Sequence, residues 1–324
     1  MDAADIAVAA FAPAVVWVLW RLQSLTVDQV LRRGMYKLLR HQRATYNIVS
    51  WFGVLLHEVS HALFLVLGGH GIRRFKVGVD SGHVVPQQMR RGPFGVITFV
   101  VAAMAPMFVA PALILTVAWW LLDPALVTVA SAGPGWDEAW PVLRDMLVAF
   151  PGRLGRALVG VDLATWRGLL VFGLMVFALP SARPSYLAGQ GGEKDQGDIA
   201  VVRAKVRRNP VTFVVLAALL VASYFLIVPW APRIYWAAWQ AVWATVLTAI
   251  LLAAAAGVGW YVVSRAGRAQ FWAAWLPLAA AVAVQVFGRQ GVLPDMQMWL
   301  LNVVTLGVFA VLAFGVAAAA PRRW

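Results

Sequence analysis

Cysteine is absent from the 324 residues. No disulfide framework, thiolate nucleophile or cysteine zinc knuckle is therefore possible. Charge is the next scarcity. Asp, Glu, Lys and Arg make up 13% of the chain, where a soluble domain carries about a quarter. Only three glutamates occur, Glu58, Glu138 and Glu193, and only five histidines. Together these shortages exclude an ordinary cytosolic globule, a disordered chain and a fibrous repeat.

What fills the chain instead is apolar: 62% of residues are hydrophobic and the mean hydropathy is +0.76. Pro93 to Leu122, Ile234 to Ser264 and Met296 to Pro321 contain no charged side chain. Each exceeds the roughly 20 residues a helix needs to cross a bilayer core. The expected fold class is an all-α polytopic membrane protein. Candidate spans lie near residues 6–20, 46–68, 94–122, 157–180, 210–231, 235–264, 270–288 and 296–320. The first is short and the fourth is interrupted by Asp162 and Arg167, so six to eight transmembrane helices are expected. The organisation reads as an N-terminal apolar segment with a basic stretch (1–45), a core (46–200) and a set of C-terminal spans (201–324).

The formal charge of +13 invites a nucleic-acid reading, but the basic residues cluster between apolar spans, as they do on cytoplasmic membrane loops. No nucleic-acid partner is expected. Loop 181–209 carries Arg183, Lys194, Arg203, Lys205, Arg207 and Arg208, and Arg265, Arg268, Arg322 and Arg323 follow later spans. These segments and the C-terminus are expected in the cytoplasm, with the charge-balanced loop 123–156 outside and loop 69–92 inside. Residues 21–45 conflict with this alternation, since they carry Arg21, Arg32, Arg33, Lys37, Arg40 and Arg43. The helical spacing of Val30, Leu31, Met35, Leu38 and Leu39 suggests an amphipathic interfacial helix there. Trp17, Trp20, Trp51, Trp119, Trp120, Trp166, Trp230 and Trp299 fall near span ends, as an interfacial belt does. The acidic start, Asp2 and Asp5, argues against a cleavable signal peptide. Ala-rich spans and compact loops point to a bacterial cytoplasmic membrane.

Against so few ionisable groups, His57-Glu58-Val59-Ser60-His61 stands out in the apolar run from Ile48 to Leu67. At this composition a chance HExxH is roughly a one-in-a-thousand event. Residues i and i+4 share a helix face, so His57 and His61 can take two corners of a tetrahedral zinc site. Glu58 projects beside them, where a carboxylate can take a proton from a metal-activated water. An ionisable residue inside a span costs a few kcal/mol and is functional by default. Zn²⁺ is the expected cofactor.

The sequence here resembles the site-2 protease (M50) class of intramembrane zinc metalloproteases. The match runs from Phe52 through His57-Glu58-Val59-Ser60-His61 to Leu63, then Gly68-Gly69 and Phe75 to Val84. It continues to Ala102-Ala103-Met104-Ala105-Pro106, where the family usually has Gly-Pro, and in all covers roughly residues 48–200. The resemblance implies a zinc endopeptidase that cuts within or near the transmembrane segment of a membrane-protein substrate, close to the cytoplasmic surface. His57 and His61 would bind zinc and Glu58 would be the catalytic base. A short membrane-associated β-hairpin would follow the HExxH helix and hold the substrate; the alternation of Phe75, Val77 and Val79, broken at Ser81-Gly82, agrees with one.

The family's third ligand, an Asp on a later helix, has no counterpart where the fourth span ends in Leu179-Pro180-Ser181-Ala182. Asp198 is the first candidate for it, with Asp195 and His83 behind. Without a third ligand the chain would be a non-catalytic membrane scaffold or regulator. A small-solute transporter would show two similar halves, and the sequence has none. His70 is expected to cap the carbonyls ending the HExxH helix. His41 carries no metal signal, Asn302 and Gln285 read as helix-packing residues, and Asp295 as a helix-start acid. Membrane lipid, partner membrane proteins or a second copy of the chain are the remaining expected contacts.

Overall fold

The computed structural model describes residues 3–79, 82–88, 92–126, 136–159, 161–163, 165–182 and 198–265. The expected spans at 270–288 and 296–320, with Gln285, Asp295 and Asn302, lie outside the described residues. Helices dominate. In chain order they are α1 (Ala3–Thr26), α2 (Arg32–His41), α3 (Arg43–Leu67), α4 (Gly92–Leu121), α5 (Trp136–Arg144), α6 (Phe150–Val159), α7 (Trp166–Phe177), α8 (Asp198–Arg208), α9 (Pro210–Ile227) and α10 (Pro232–Arg265). One antiparallel pair, β1 (Ile72–Val77) and β2 (Gly82–Pro86), sits between α3 and α4. Among the described residues five stretches are long and apolar enough to cross a membrane: Ile6–His41, Arg43–Leu67, Gly92–Leu121, Pro210–Ile227 and Pro232–Tyr261. The all-α membrane architecture with a hairpin after the HExxH helix follows.

Two expectations change. The basic stretch at 21–45 is not a separate helix. A single π-helical turn, Val27–Leu31, joins α1 to α2, so the apolar segment at 6–20 opens one long helix. Its amphipathicity is real, because Val27, Leu31, Met35 and Leu38 are fully buried. Their cover is protein: they cluster with Tyr46 and Val49 of α3 and with Leu252 and Ala253 of α10. Gly34 permits this packing, since a Cβ there would collide with the Gly257 carbonyl, and a Cβ on Gly257 would meet the Val30 backbone. Small residues at a helix crossing let two backbones approach closely.

The expected span at 157–180 is also not one helix. It divides into α6 and α7, and α7 begins only at Trp166, where the Thr165 side chain accepts a hydrogen bond from the Gly168 amide. The cap satisfies one of the free amides of the first turn and fixes where α7 starts. The apolar helix that follows, Trp166–Ala182, is shorter than the stretches long enough to cross a bilayer core. Asp162 and Arg167, which weaken the apolar run, mark the break. Beside it Arg153 forms a two-pronged ion pair with Asp145, both bonds 2.7 Å. Hydrogen bonding to Asp145 raises the Arg153 guanidinium above its ordinary value.

The largest core gathers Val8, Ala9 and Ala12 of α1, Leu115 and Ala118 of α4, Met146 between α5 and α6, Phe150 of α6, and Trp236 and Trp243 of α10. Smaller packing places the site. Val202 of α8 joins Val100 and Ala103 of α4, and Lys205 lies 5.3 Å over the Phe99 ring. Thr98 of α4 also meets Gly68 and His70. The hairpin and α8 therefore share the first half of α4, which agrees with loops 69–92 and 181–209 lying on the same side.

Candidate metal and catalytic site

Nothing in α3 interrupts the helix from Arg43 to Leu67, so His57, Glu58 and His61 fall on its turns as their spacing requires. His57 is 3% exposed and Glu58 4%, in the predominantly apolar part of the helix. The two imidazoles meet edge to face, with centroids 4.6 Å apart and an interplanar angle of 83°. Their Nε2 atoms are 3.0 Å apart.

The protonation of each ring follows from its other nitrogen. His57 Nδ1 lies 2.8 Å from the Ser181 carbonyl oxygen, and His61 Nδ1 lies 2.7 Å from the Ala102 carbonyl oxygen. A carbonyl only accepts, so each Nδ1 carries the proton and donates it. Nε2 is then the lone-pair nitrogen of each neutral ring. Two lone pairs at 3.0 Å repel unless a cation, a proton or a metal, lies between them. Zinc–nitrogen bonds of about 2.0–2.1 Å in a tetrahedron would put two nitrogens roughly 3.3 Å apart, so the pair fits two positions of such an ion. Metal-bound histidines almost always anchor the opposite nitrogen on a carbonyl or carboxylate.

Two segments bring those carbonyls. α4 runs antiparallel to α3 through the short hairpin connection and places Ala102 beside His61. α7 packs on α3 through the edge-on contact of Phe177 with Phe52, ring centroids 6.1 Å apart. It then ends in the 3₁₀ turn Leu179–Ala182, every residue of which is buried. Gly53, one turn before His57, makes room: a Cβ there would stand 2.9 Å from Pro180 Cβ.

The hairpin forms the third wall. Its register pairs Val77 with Gly82, Lys76 with His83 and Phe75 with Val84. Gly82 lies directly over Glu58, so that an added Cβ would be 2.5 Å from Cγ and 2.8 Å from Oε1. Side chains alternate along a strand. His83 consequently points the other way and is exposed, with Arg74 and Lys76 on the same outer face. The structure does not bring His83 to His57 and His61.

Asp198 is the first residue of α8. That helix packs on α4 next to the Ala102 that holds His61, although nothing is described of the Asp198 side chain itself. Asp195 lies outside the described residues. Among the described residues no group of three or more His, Asp or Glu side chains is placed to hold a metal. His70 differs from expectation in part. Its backbone N–H does cap α3 at the Leu65 carbonyl, with Gly69 at φ 74°. Its buried ring instead reaches Gln88 O at 3.2 Å and Thr98 Oγ1 at 2.9 Å, tying the end of the hairpin to α4. Sequence reading missed Ser181, Ala102 and Gly82, because a backbone carbonyl or a hydrogen leaves no side-chain signature.

Compared with known proteins, the chain matches no family model, no curated protein and no solved structure.

Proposed function

We propose that this membrane protein is an intramembrane zinc endopeptidase of the site-2 protease kind, cutting a peptide bond in or near the transmembrane segment of another membrane protein. The observation that carries the reading is the convergence of His57 and His61 Nε2 at 3.0 Å, with both Nδ1 atoms committed to carbonyls and a buried glutamate between them in sequence. A packed structural helix gains nothing from a carboxylate at that depth and two imidazoles whose facing nitrogens need a shared cation. The basic loops and Ala-rich composition favour a bacterial cytoplasmic membrane with the C-terminus inside.

His57 and His61 would hold the metal, with Asp198 as the first candidate to complete the set. Bound zinc supplies Lewis-acid polarisation of the scissile carbonyl and acidifies a water to near neutrality. Glu58 takes a proton from the attacking water and returns it to the departing amide nitrogen, so the carboxylate ends the cycle as it began. The Ser181 and Ala102 carbonyls hold the imidazoles in one tautomer throughout. Gly82 brings hairpin backbone against Glu58, where an unwound substrate strand would have to lie. Burial of Glu58 limits water at the site to what enters with the substrate path.

Gly82→Ala tests the hairpin's part. The methyl would force either the strand or Glu58 aside, and a displacement of about 1 Å can cost up to roughly 100-fold in rate. Cleavage is expected to fall by that order with metal content unchanged; unchanged cleavage would remove the hairpin from the reaction.

The reading as a whole is tested on the full chain in vesicles, with a single-span membrane protein as substrate. A chelator should abolish cleavage and stoichiometric zinc should restore it. Cleavage indifferent to chelation would reject the proposal. A second reading has its own observation in its favour, the lack of a third protein ligand among the described residues. In that reading the chain is a metalloprotease-like scaffold or regulator, and it predicts bound metal with no cleavage of any substrate tested.

A further inference from the structure

Beyond its first turn α4 contains two prolines, Pro106 and Pro111, in the interior of the helix. A proline has no N–H, so the carbonyl four residues earlier loses its helical donor, and the ring pushes that carbonyl outward. The two carbonyls concerned belong to Ala102 and Met107. Both are used by a side chain from another helix. Ala102 O is 2.7 Å from His61 Nδ1, and Met107 O accepts from Gln23 Nε2 of α1 at 2.6 Å. Each bond therefore occupies an acceptor that the neighbouring proline has released.

We infer that Pro106 is a positioning residue for the metal site: by withholding an N–H it reserves the Ala102 carbonyl for His61 and so fixes that imidazole with Nδ1 protonated and Nε2 facing His57. The inference rests on the reading of His57 and His61 as metal ligands. Pro111 does the same for Gln23, a residue with no part in the site, and provides an internal control. The 3₁₀ turn that serves His57 repeats the logic in sequence, because residue 184, the i+3 donor a 3₁₀ bond to Ser181 O would need, is also a proline.

Pro106→Ala returns an N–H to α4. That donor closes the helical bond to Ala102 O, in direct competition with His61, and His61 is no longer held in its tautomer. A proline that served only to bend or stabilise α4 would not act on metal binding in this selective way. Removing an interior proline relieves the helix, so the variant should be as thermostable as the wild type or more so while binding metal less well.

The test uses Co²⁺ as the probe, titrated into the purified full chain in detergent and followed by its visible absorption, with thermal unfolding in parallel. The wild type should bind one Co²⁺. Pro106→Ala should bind it roughly 10- to 100-fold more weakly, the usual cost of losing a ligand's outer hydrogen-bond partner, with no fall in Tm. Pro111→Ala should bind like the wild type. Equal affinity in Pro106→Ala and wild type would overturn the positioning role, as would equal weakening by both proline variants. A wild type that binds no Co²⁺ would instead overturn the metal reading, and this inference with it. If Pro106→Ala does not survive purification, ¹⁵N-histidine spectra of the metal-free wild type decide, with only five histidines to assign. A proton on His61 Nδ1 supports the inference, whether or not a further proton is shared between the two Nε2 atoms, and an unprotonated Nδ1 overturns it.

Discussion

Glu58→Gln is expected to lower cleavage of a membrane-embedded substrate by about 10²- to 10⁴-fold, the range that a positioned general base contributes, while leaving the metal in place. The argument is steric as well as chemical. Glu58 is almost fully buried under Gly82, with its Cγ 2.5 Å from where a Cβ on that residue would stand. Gln keeps the volume and the hairpin contact but cannot accept the proton. Shortening the side chain instead, as in Glu58→Asp, would move the carboxylate away from the hairpin and confuse the two effects. Cleavage by Glu58→Gln at the wild-type rate would deny Glu58 its role. Joint loss of metal and cleavage would reassign it as a ligand.

His57→Ala and His61→Ala carry the other large effect. Each removes one of the two nitrogen donors that converge at 3.0 Å. The loss in metal affinity should exceed the roughly 10- to 100-fold that follows when only an outer hydrogen-bond partner is removed, and neither variant should retain stoichiometric zinc through purification. Folding must be followed alongside, because each change also strands a buried carbonyl, Ser181 O or Ala102 O, at about 1–3 kcal/mol. A variant that melts like the wild type and has lost its metal reports on ligation. Retention of one zinc by either variant would show that the two imidazoles are not the ligands.

Much of this arrangement can be read from residues alone, for a definite reason. The long charge-free runs expose the spans, and α3, α4, α9 and α10 appear close to where hydropathy puts them. Scarcity of ionisable groups makes His57, Glu58 and His61 visible, and a break in alternation at Ser81-Gly82 marks the hairpin. What stays hidden is whatever depends on backbone atoms or on partners far along the chain. The face of Val27, Leu31, Met35 and Leu38 is visibly amphipathic, yet its spacing does not say whether lipid or α10 covers it. The fourth span fails because average hydropathy does not register the Thr165 cap that starts α7 late. Ser181 and Ala102 act through carbonyls, which every residue possesses. Only the prolines at 106 and 184 leave a trace of them in the sequence, and that trace gains meaning once Ala102 is seen beside His61. No acid ends α7, and Asp198 begins a helix that packs beside α4.

The central claim is that His57 and His61 together hold one zinc ion, and zinc X-ray absorption on the purified full-length wild type tests it most directly. The account predicts one zinc per chain, coordinated by two imidazole nitrogens at about 2.0–2.1 Å with the remaining positions filled by oxygen. No zinc, or zinc without imidazole scattering, would contradict it.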